Sequence, residues 1–537
     1  MKYLDTTTEI IEYDEILKKS YDYYFFKLRK KYLKFIDKHF YKKINLDILV
    51  SSVSEKNIPS SYIYHNLCLY FSIIQILRKK KFEKIFVNNF FLKNLIEKKY
   101  KIKIVIKKDH YKIKSFLNFI KIATKHISIY LLVNIFYPKK LGLNEITIVD
   151  RFITDENPDV DRYYNNFYRE KKNTYQIPTF VNLSLFKIFS FLLKIKKKKF
   201  IMKSEFLDIG DIIFSLMYFF RSKKISFRKM YFEKLDISQL VNDELRQSNN
   251  YNASVIGIKN YLFAKKLKFR NINVSKVIDW NENTAVDKGW NYGFRKFYPN
   301  IKTYGYQNYF VEKKFSALDI TPFENKSKSC PEFLLLISGS VKKARKEFTK
   351  KLKFINVKAL RFDYLYKKKF YKLKFNDKIL ILLNLNINDN LKIINKVLET
   401  NYSKNGNKIF IKEHPLLKLK DYYKEDLPDN WVITNGHFAD VIKKYKIVVT
   451  SGSSSSVFES ILLGGKVLFP LNNYYDAFNL KFLGIPKTLF QVCSNSKDLD
   501  DYIKKILNQK INKFMYYNNK KRLRKLINYK NINFDSL

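Results

Sequence analysis

Short apolar runs bounded by polar turns recur along the chain, between longer stretches whose apolar positions return every three to four residues. The first kind reads as buried strands and the second as helices. The first 145 residues read mainly as helix, with strands at Lys84–Val87 and Ile102–Ile106. Glu145–Val149 predicts a third strand running into a carboxylate-rich loop, 150–164. Further strands are expected at Val255–Gly257, Val277–Asp279, Lys302–Tyr306 and Phe333–Ser338, alternating with helices such as Asn283–Phe297.

The basic stretch 366–375 has no helical period and reads as a boundary. Beyond it β–α alternation is regular. Strands at Lys378–Asn384, Lys408–Lys412, Trp431–Thr434, Ile447–Thr450 and Lys466–Phe469 frame helices at Asp389–Glu399, His437–Lys444 and Ser456–Leu463. Strand then helix is the grammar of a parallel sheet. The expected fold class is α/β, with two Rossmann-like domains facing across a cleft. An N-terminal domain, 1–370, has a helical first part. A C-terminal Rossmann-like domain spans 376–510, and a helix at 511–537 is expected to cross back.

Composition narrows the picture. The chain has 537 residues, 46% hydrophobic and 28% charged, enough to bury a real core. Three cysteines, far apart and in no CxxC pair, exclude a disulfide framework and a zinc ribbon. The formal charge is +53, yet 14 of the 103 basic residues are Arg and the other 89 are Lys, spread along the whole chain. Readers of base edges favour Arg, so the excess reads first as compositional bias, next as attraction to an anionic membrane face, and last as nucleic-acid binding. Met1 to Asp14 carries Asp5, Glu9, Glu12 and Asp14, which does not read as a signal peptide. Ser115–Tyr137 reads as a buried amphipathic helix, with a membrane-surface helix as the alternative; Leu185–Phe200 allows the same two readings. The expected location is cytoplasmic, peripheral on the inner membrane.

Four places carry chemistry. Lys412-Glu413-His414-Pro415 follows a strand, so Pro415 fixes a turn and His414 sits at a carboxyl end, able to donate to a phosphate, with Lys412 and Lys418 adding charge. Thr450-Ser451-Gly452-Ser453-Ser454-Ser455 runs from an apolar strand into a helix. Its backbone N–H groups and hydroxyls suit a phosphate, and Glu459 is spaced for a capping box with Ser456. It is neither a Walker A loop nor a GxGxxG fingerprint. These two strand ends are expected to be neighbours converging on one hollow. Trp280-Asn281-Glu282-Asn283 follows a strand and places Glu282 at the head of a helix, as a base for an acceptor hydroxyl or as a dipole-favoured charge; Asp287 is a weaker candidate. In Lys302 to Tyr309, Gln307 and Asn308 are expected to project from a loop, suited to sugar hydroxyls or to turn chemistry alone. Two Asp-x-Asp triples, Asp159/Asp161 and Asp498/Asp500, adjoin neither phosphate motif, and no metal site is expected.

In order, WNEN…DKGW, KTYGYQN, ALRFDYL at Ala359–Leu365, KEHP and TSGSSSSVFESILLGGKVLF resemble bacterial surface-carbohydrate biosynthesis proteins of the GT-B type. These are relatives of the Kdo transferases and of bacterial sialyltransferases with HP and Ser-rich motifs. The resemblance spans roughly residues 145–470. It implies a glycosyltransferase that moves a sugar from a nucleotide-sugar, often CMP-linked, to a surface polysaccharide, lipopolysaccharide or lipid-linked acceptor, without metal or other cofactor. His414, Ser451, Ser453, Ser454 and Ser455 would bind the donor phosphate, with Lys412 and Gly452 beside them. The family commonly reads Glu-Asn-Gln-Pro-Trp-Glu where this chain has Glu282-Asn283-Thr284-Ala285-Val286-Asp287, and Gln-His where it has Gln307-Asn308. A CDP-polyol phosphotransferase or a non-catalytic relative on the same scaffold are the alternatives, with polyanion binding a distant third.

Overall fold

The computed structural model describes residues 3–7, 14–57, 60–107, 111–137, 145–168, 171–196, 198–247, 250–309, 316–363, 365, 376–384, 387–414, 417–436, 438–442, 444–451, 456–470 and 489–509, with 518, 521 and 525. The boundary expected at 366–375, Pro415, the turn residues Gly452, Ser453, Ser454 and Ser455, and nearly all of 511–537 lie outside the described residues. The chain divides into two units. The first lies within Met1–Gln307, Phe315–Leu335 and Arg345–Ile355, and the second within Asn308–Lys314, Leu336–Ala344 and Asn356–Leu537. Each holds a six-stranded sheet, so the α/β class is as the sequence predicts.

In the first unit, β1 (Tyr3–Asp5), β2 (Lys84–Val87) and β3 (Lys103–Ile106) form a small parallel sheet. The main sheet contains β4 (Glu145–Ile153) and β5 (Thr174–Phe180). After a short hairpin, β6 (Tyr231–Phe232) with β7 (Leu235–Asp236), it continues with β8 (Asn273–Trp280), β9 (Lys302–Gln307), β10 (Phe333–Leu336) and β11 (Lys353–Asn356). The spatial order is β11-β10-β9-β8-β4-β5, and β5, β4, β8 and β9 run parallel. The strand β5 escapes sequence reading because Pro178 interrupts it; as the edge strand it loses no interior ladder bond to that proline. The loop expected from residue 150 starts later. Pairing with β5 carries β4 to Ile153, and buried Arg151 is satisfied by Gln176 (2.6 Å) and the carbonyls of Pro158 (2.8 Å) and Val160 (3.0 Å).

The strand expected at Val255–Gly257 is instead inside a helix, Tyr251–Phe269. That helix buries apolar residues on most of its circumference, which erases the amphipathic period a sequence reader needs. Its Gly257 meets Gly289 of the helix Ala285–Phe297. A Cβ on Gly289 would lie 1.9 Å from the Gly257 carbonyl oxygen, and one on Gly257 2.4 Å from that of Ala285. Gly293 continues the seam, with a built Cβ 2.9 Å from the Tyr261 Cα. These two helices cover the sheet around Val255, Ile258, Val277, Trp290 and Phe294.

The helix at Tyr111–Phe136 corrects a second expectation. Its stretch Ser115–Phe136 is long and apolar enough to cross a membrane by length and composition, but only 17% of its apolar window is buried. It presents one face to the protein and leaves Leu117, Ile120, Leu131 and Ile135 exposed.

In the second unit, β12 (Asn376–Leu382), β13 (Ile409–Lys412), β14 (Trp431–Ile433), β15 (Tyr445–Thr450), β16 (Lys466–Phe469) and β17 (Phe490–Val492) are all parallel, in the order β14-β13-β12-β15-β16-β17. Ile379, Ile381, Ile409, Ile411, Ile447 and Val449 share one buried face with the helices Ile387–Leu398 and Ser496–Asn508. The central strand β15 is buried on its other face as well, which is why it reads as an unbroken apolar run.

The glycine seam predicts a specific stability result. Gly289→Ala should lower the free energy of unfolding by about 1–3 kcal/mol or more in urea titration, because its methyl group meets backbone that cannot swing aside. Alanine at Gly339, where an added Cβ meets nothing within 4 Å, is the control and should change little.

Candidate functional site

Parallel register builds the site in the second unit. Leu382 at the end of β12 pairs with Lys412 of β13 on one side and Thr450 of β15 on the other. The three carboxyl ends are therefore level. His414 lies two residues past β13, Ser451 one past β15, and Asn384 two past β12. His414 and Ser451 thus share one edge but are not strand neighbours. β12 stands between them, putting the two chain ends two strand spacings, about 10 Å, apart.

Asn384 fills that interval, and sequence reading passed over it. Its side-chain amide donates to the Ser451 hydroxyl and to Asp389 Oδ2 (3.2 Å). Asn390 Oδ1 accepts from the Asn384 backbone N–H (2.9 Å), and Asn390 Nδ2 donates to its carbonyl (3.0 Å) and to Tyr422 (3.0 Å). The signal was there: Asn384 is the first polar residue after the apolar run of β12, the central strand of the three. Ser451 and Asn384 are buried; Lys412 and His414 are half-buried. His414 opens a tight turn closed by Leu417 N donating to its carbonyl (3.1 Å). Glu413 holds the turn by accepting from Leu419 N (2.7 Å) and pairing with Lys418 (3.3 Å). Burial and the neighbouring Lys418 together lower the Lys412 ammonium's pKa below the ordinary lysine range. A cation so placed gains from an anion beside it.

The first unit places its motifs differently. Trp280 is buried at the end of β8, and its indole N–H donates to Glu282 Oε1 (2.9 Å). Asn281 is buried and donates to Asp279 Oδ2 (3.2 Å). Asn283 takes a left-handed conformation, φ 57°, and donates to the Ala317 carbonyl (2.7 Å) and Glu324 Oε1 (2.9 Å). Asp287 accepts from Thr284 N (2.8 Å) and Glu282 N (3.1 Å), so it caps the helix Ala285–Phe297. Of these motif residues, Glu282 keeps a half-buried carboxylate. It stands beside two buried ones: burial pushes Asp279 up to about 7 and Asp287 well above the usual carboxylate range.

The expectation that Gln307 and Asn308 project from a loop is corrected. Gln307 is the last residue of β9 and is buried. Its Nε2 donates to Asn281 Oδ1 (3.1 Å) and its Oε1 accepts from Arg345 Nε (3.1 Å), so both ends of the amide are spent inside the protein. Asn308 is fully buried. Gly305 lets this strand approach Asn281 and Pro331, since a Cβ there would sit 2.9 Å and 2.5 Å from them. The motif locks β9 to β8.

Both Asp-x-Asp triples serve the fold. Asp161 accepts from Tyr163, Tyr164 and Asn166 backbone N–H groups and Asp159 pairs with Lys198 (2.7 Å). Asp500 accepts from Tyr402 N (2.9 Å) and pairs with Lys504 (2.8 Å), while Asp498 accepts from Ser494 N (3.1 Å). Among the described residues no group of three or more His, Cys, Asp and Glu is arranged to hold a metal ion.

No protein-family profile matches the chain, and no curated protein does. Solved structures similar to it include UDP-N-acetylglucosamine 2-epimerase from Rickettsia bellii (11% identity, TM-score 0.39, 72% of this chain and 95% of that one). MurG from Acinetobacter baumannii (13%, 0.35, 70% and 95%) and the wall teichoic acid polymerase TagF (10%, 0.35, 79% and 95%) are others. Likenesses of this size leave the assignment of activity to the residues.

The hydrogen-bond pattern separates fold from chemistry within one motif pair. Gln307→Leu should cost about 1–3 kcal/mol in urea unfolding, since Asn281 and Arg345 lose a buried partner. Glu282→Gln should stay within about 0.5 kcal/mol of the parent, because a half-buried amide oxygen still accepts from Trp280.

Proposed function

We propose that the chain is a glycosyltransferase of GT-B type using a nucleotide-sugar donor. The observation that carries this is the level carboxyl edge of β13, β12 and β15, where Lys412, His414, Asn384 and Ser451 come together. Ligands of open α/β sheets bind outside the carboxyl ends of the strands. Two basic side chains and a hydroxyl held in place by Asn384 suit a phosphate there, and Ser453, Ser454 and Ser455 would add hydroxyls.

In the proposed reaction the bond from the sugar's anomeric carbon to the donor phosphate breaks, and the electron pair leaves with the phosphate. Lys412 and His414 stabilise that charge, so no metal is required. The anomeric carbon bonds to an acceptor hydroxyl, whose proton passes to a general base; Glu282 is the candidate the sequence offers for that role. We take the donor to be CMP-linked and the acceptor a surface polysaccharide or lipopolysaccharide precursor, as the motif resemblance implies.

His414→Ala should abolish transfer in an assay of released nucleotide over a nucleotide-sugar panel, while leaving the unfolding curve unchanged. Full activity in that variant rejects the site, and no nucleotide release or nucleotide-dependent thermal stabilisation with any donor rejects the enzyme. Release from CDP-polyols alone would reassign the chain as a polyol phosphotransferase.

The same reading puts the protein on an anionic membrane leaflet. Leu117, Ile120, Ile127, Leu131 and Ile135 form one exposed stripe on the helix Tyr111–Phe136. Phe186 and Leu193 on the neighbouring helix Leu185–Ile195, and Ile213 and Phe214 on Ile209–Leu216, are exposed too, as are Lys121, Lys187 and Lys194. An apolar face flanked by lysines on a chain of charge +53 matches a negatively charged lipid surface. Full-length protein should co-sediment with phosphatidylglycerol vesicles at low salt and much less with phosphatidylcholine. Replacing Leu131 and Ile135 by Glu should abolish it, and unchanged sedimentation of that variant rejects the surface.

A further inference from the structure

Two buried lysines of the first unit face a small cavity with no acid in ion-pair contact among the described residues. Lys203 opens the short turn Lys203–Glu205 after the helix Leu185–Ile195, and Lys259 lies mid-way along the helix Tyr251–Phe269; both are more than nine-tenths buried. They line a cavity of about 60 Å³ together with His126, Thr179, Ser204 and Asn252, and half-buried Lys125 adds a third ammonium.

The hydrogen bonds fix the charge state of each wall. His126 Nε2 lies 3.1 Å from Asn252 Oδ1 and its Nδ1 3.3 Å from Lys259 Nζ. Nε2 therefore carries the proton toward the amide oxygen, and Nδ1 accepts from the ammonium, so the imidazole is neutral. Burial and the surrounding lysines hold its pKa at about 3, which agrees. Lys203 donates to the Thr179 hydroxyl (2.9 Å), which donates onward to Asp150 (3.2 Å). Asp150 thus has a hydroxyl between it and Lys203 and acts on the ammonium by charge alone, not by a direct hydrogen bond. Each ammonium has three N–H donors, and each spends one in these bonds. Burial drives Lys259 down to about 7 and Lys203 to about 8. Adjacent buried cations with unspent donors require a counter-charge or give up their protons.

We propose that this cavity is an anion site that takes a terminal phosphate group, held by Lys203 and Lys259 with help from the Ser204 hydroxyl and the Asn252 side-chain amide. The cavity fits the phosphate end and not a whole metabolite. The cavity lies in the first unit and is independent of the edge at Lys412 and His414 in the second.

The test is calorimetry and thermal unfolding of the full chain with inorganic phosphate, glycerol 3-phosphate and dihexanoyl phosphatidic acid, at matched ionic strength in chloride. Phosphate should bind saturably and raise the melting temperature. Binding at pH 7.5 should take up protons, seen as a buffer-dependent heat, because the anion recharges Lys259. Tighter binding of glycerol 3-phosphate marks a soluble ester as the source, tighter binding of the short-chain lipid a lipid headgroup, and preference for inorganic phosphate the free ion. Lys259→Met and Lys203→Met should each weaken binding at least tenfold, and Lys259→Met should melt close to the parent without phosphate, since an amine that burial has already driven down to about 7 gives way to an apolar chain of similar length. Exposed Lys196→Met should bind as the parent does. No saturable phosphate effect, or an equal one in Lys259→Met, overturns the site; should that variant not fold, absence of proton uptake by the parent overturns it.

Discussion

The parallel ladder of β13, β12 and β15 sets what the second unit can do. Backbone hydrogen bonding fixes Leu382, Lys412 and Thr450 level with one another. A slip of one residue would turn Lys412 into the core and draw an apolar neighbour to the edge. Burial on both faces forbids such a slip, because Ile379, Ile381, Ile447 and Val449 have no other place to go. The position of the imidazole relative to Ser451 is therefore a consequence of core packing, and Asn384 converts it into a bonded edge.

The first unit shows how residues that look chemical become structural. Asn281, Asn283 and Gln307 are polar, clustered and placed at or just after strand ends, yet their amides go to internal bonds: Asn281 and Gln307 join β8 to β9, and Asn283 holds the Ala317 carbonyl and Glu324. Glu282 keeps its carboxylate half-buried among carboxyl groups whose pKa values burial has raised. The glycine seam acts at the same level: Gly257 against Gly289 brings two helices to backbone contact and so fixes the helix that carries the Asp287 cap.

The same unit treats two sets of buried lysines in opposite ways. Lys56 and Lys288 enclose Glu324, whose carboxyl is held at about 2 by the two ammoniums against the upward push of burial. Charge there is balanced within the protein. Around Lys203 and Lys259 no acid is in ion-pair contact among the described residues: Lys203 meets a hydroxyl and the Trp290 ring, with Asp150 acting on it from beyond the hydroxyl, and Lys259 meets a neutral imidazole. The contrast separates a structural network from a receptive one.

Local pattern located five of the six described strands of the second unit to within two residues; it missed the short edge strand β17, where Gln491 interrupts the apolar run. Those five are apolar runs between polar turns, and each parallel strand needs its own helix, so the period switches openly at every step. The same pattern located Lys412, His414 and Ser451 at carboxyl ends. Where signals conflict, it failed. Pro178 hid an edge strand, and a helix buried around most of its circumference passed for a strand at Val255–Gly257. Burial and strand order belong to tertiary structure alone. They decided that β12 intervenes between His414 and Ser451, that Gln307 is sealed in, and that two lysines far apart in sequence share one cavity. Composition says how many charges a chain carries; only packing decides which of them meet water, a partner, or neither.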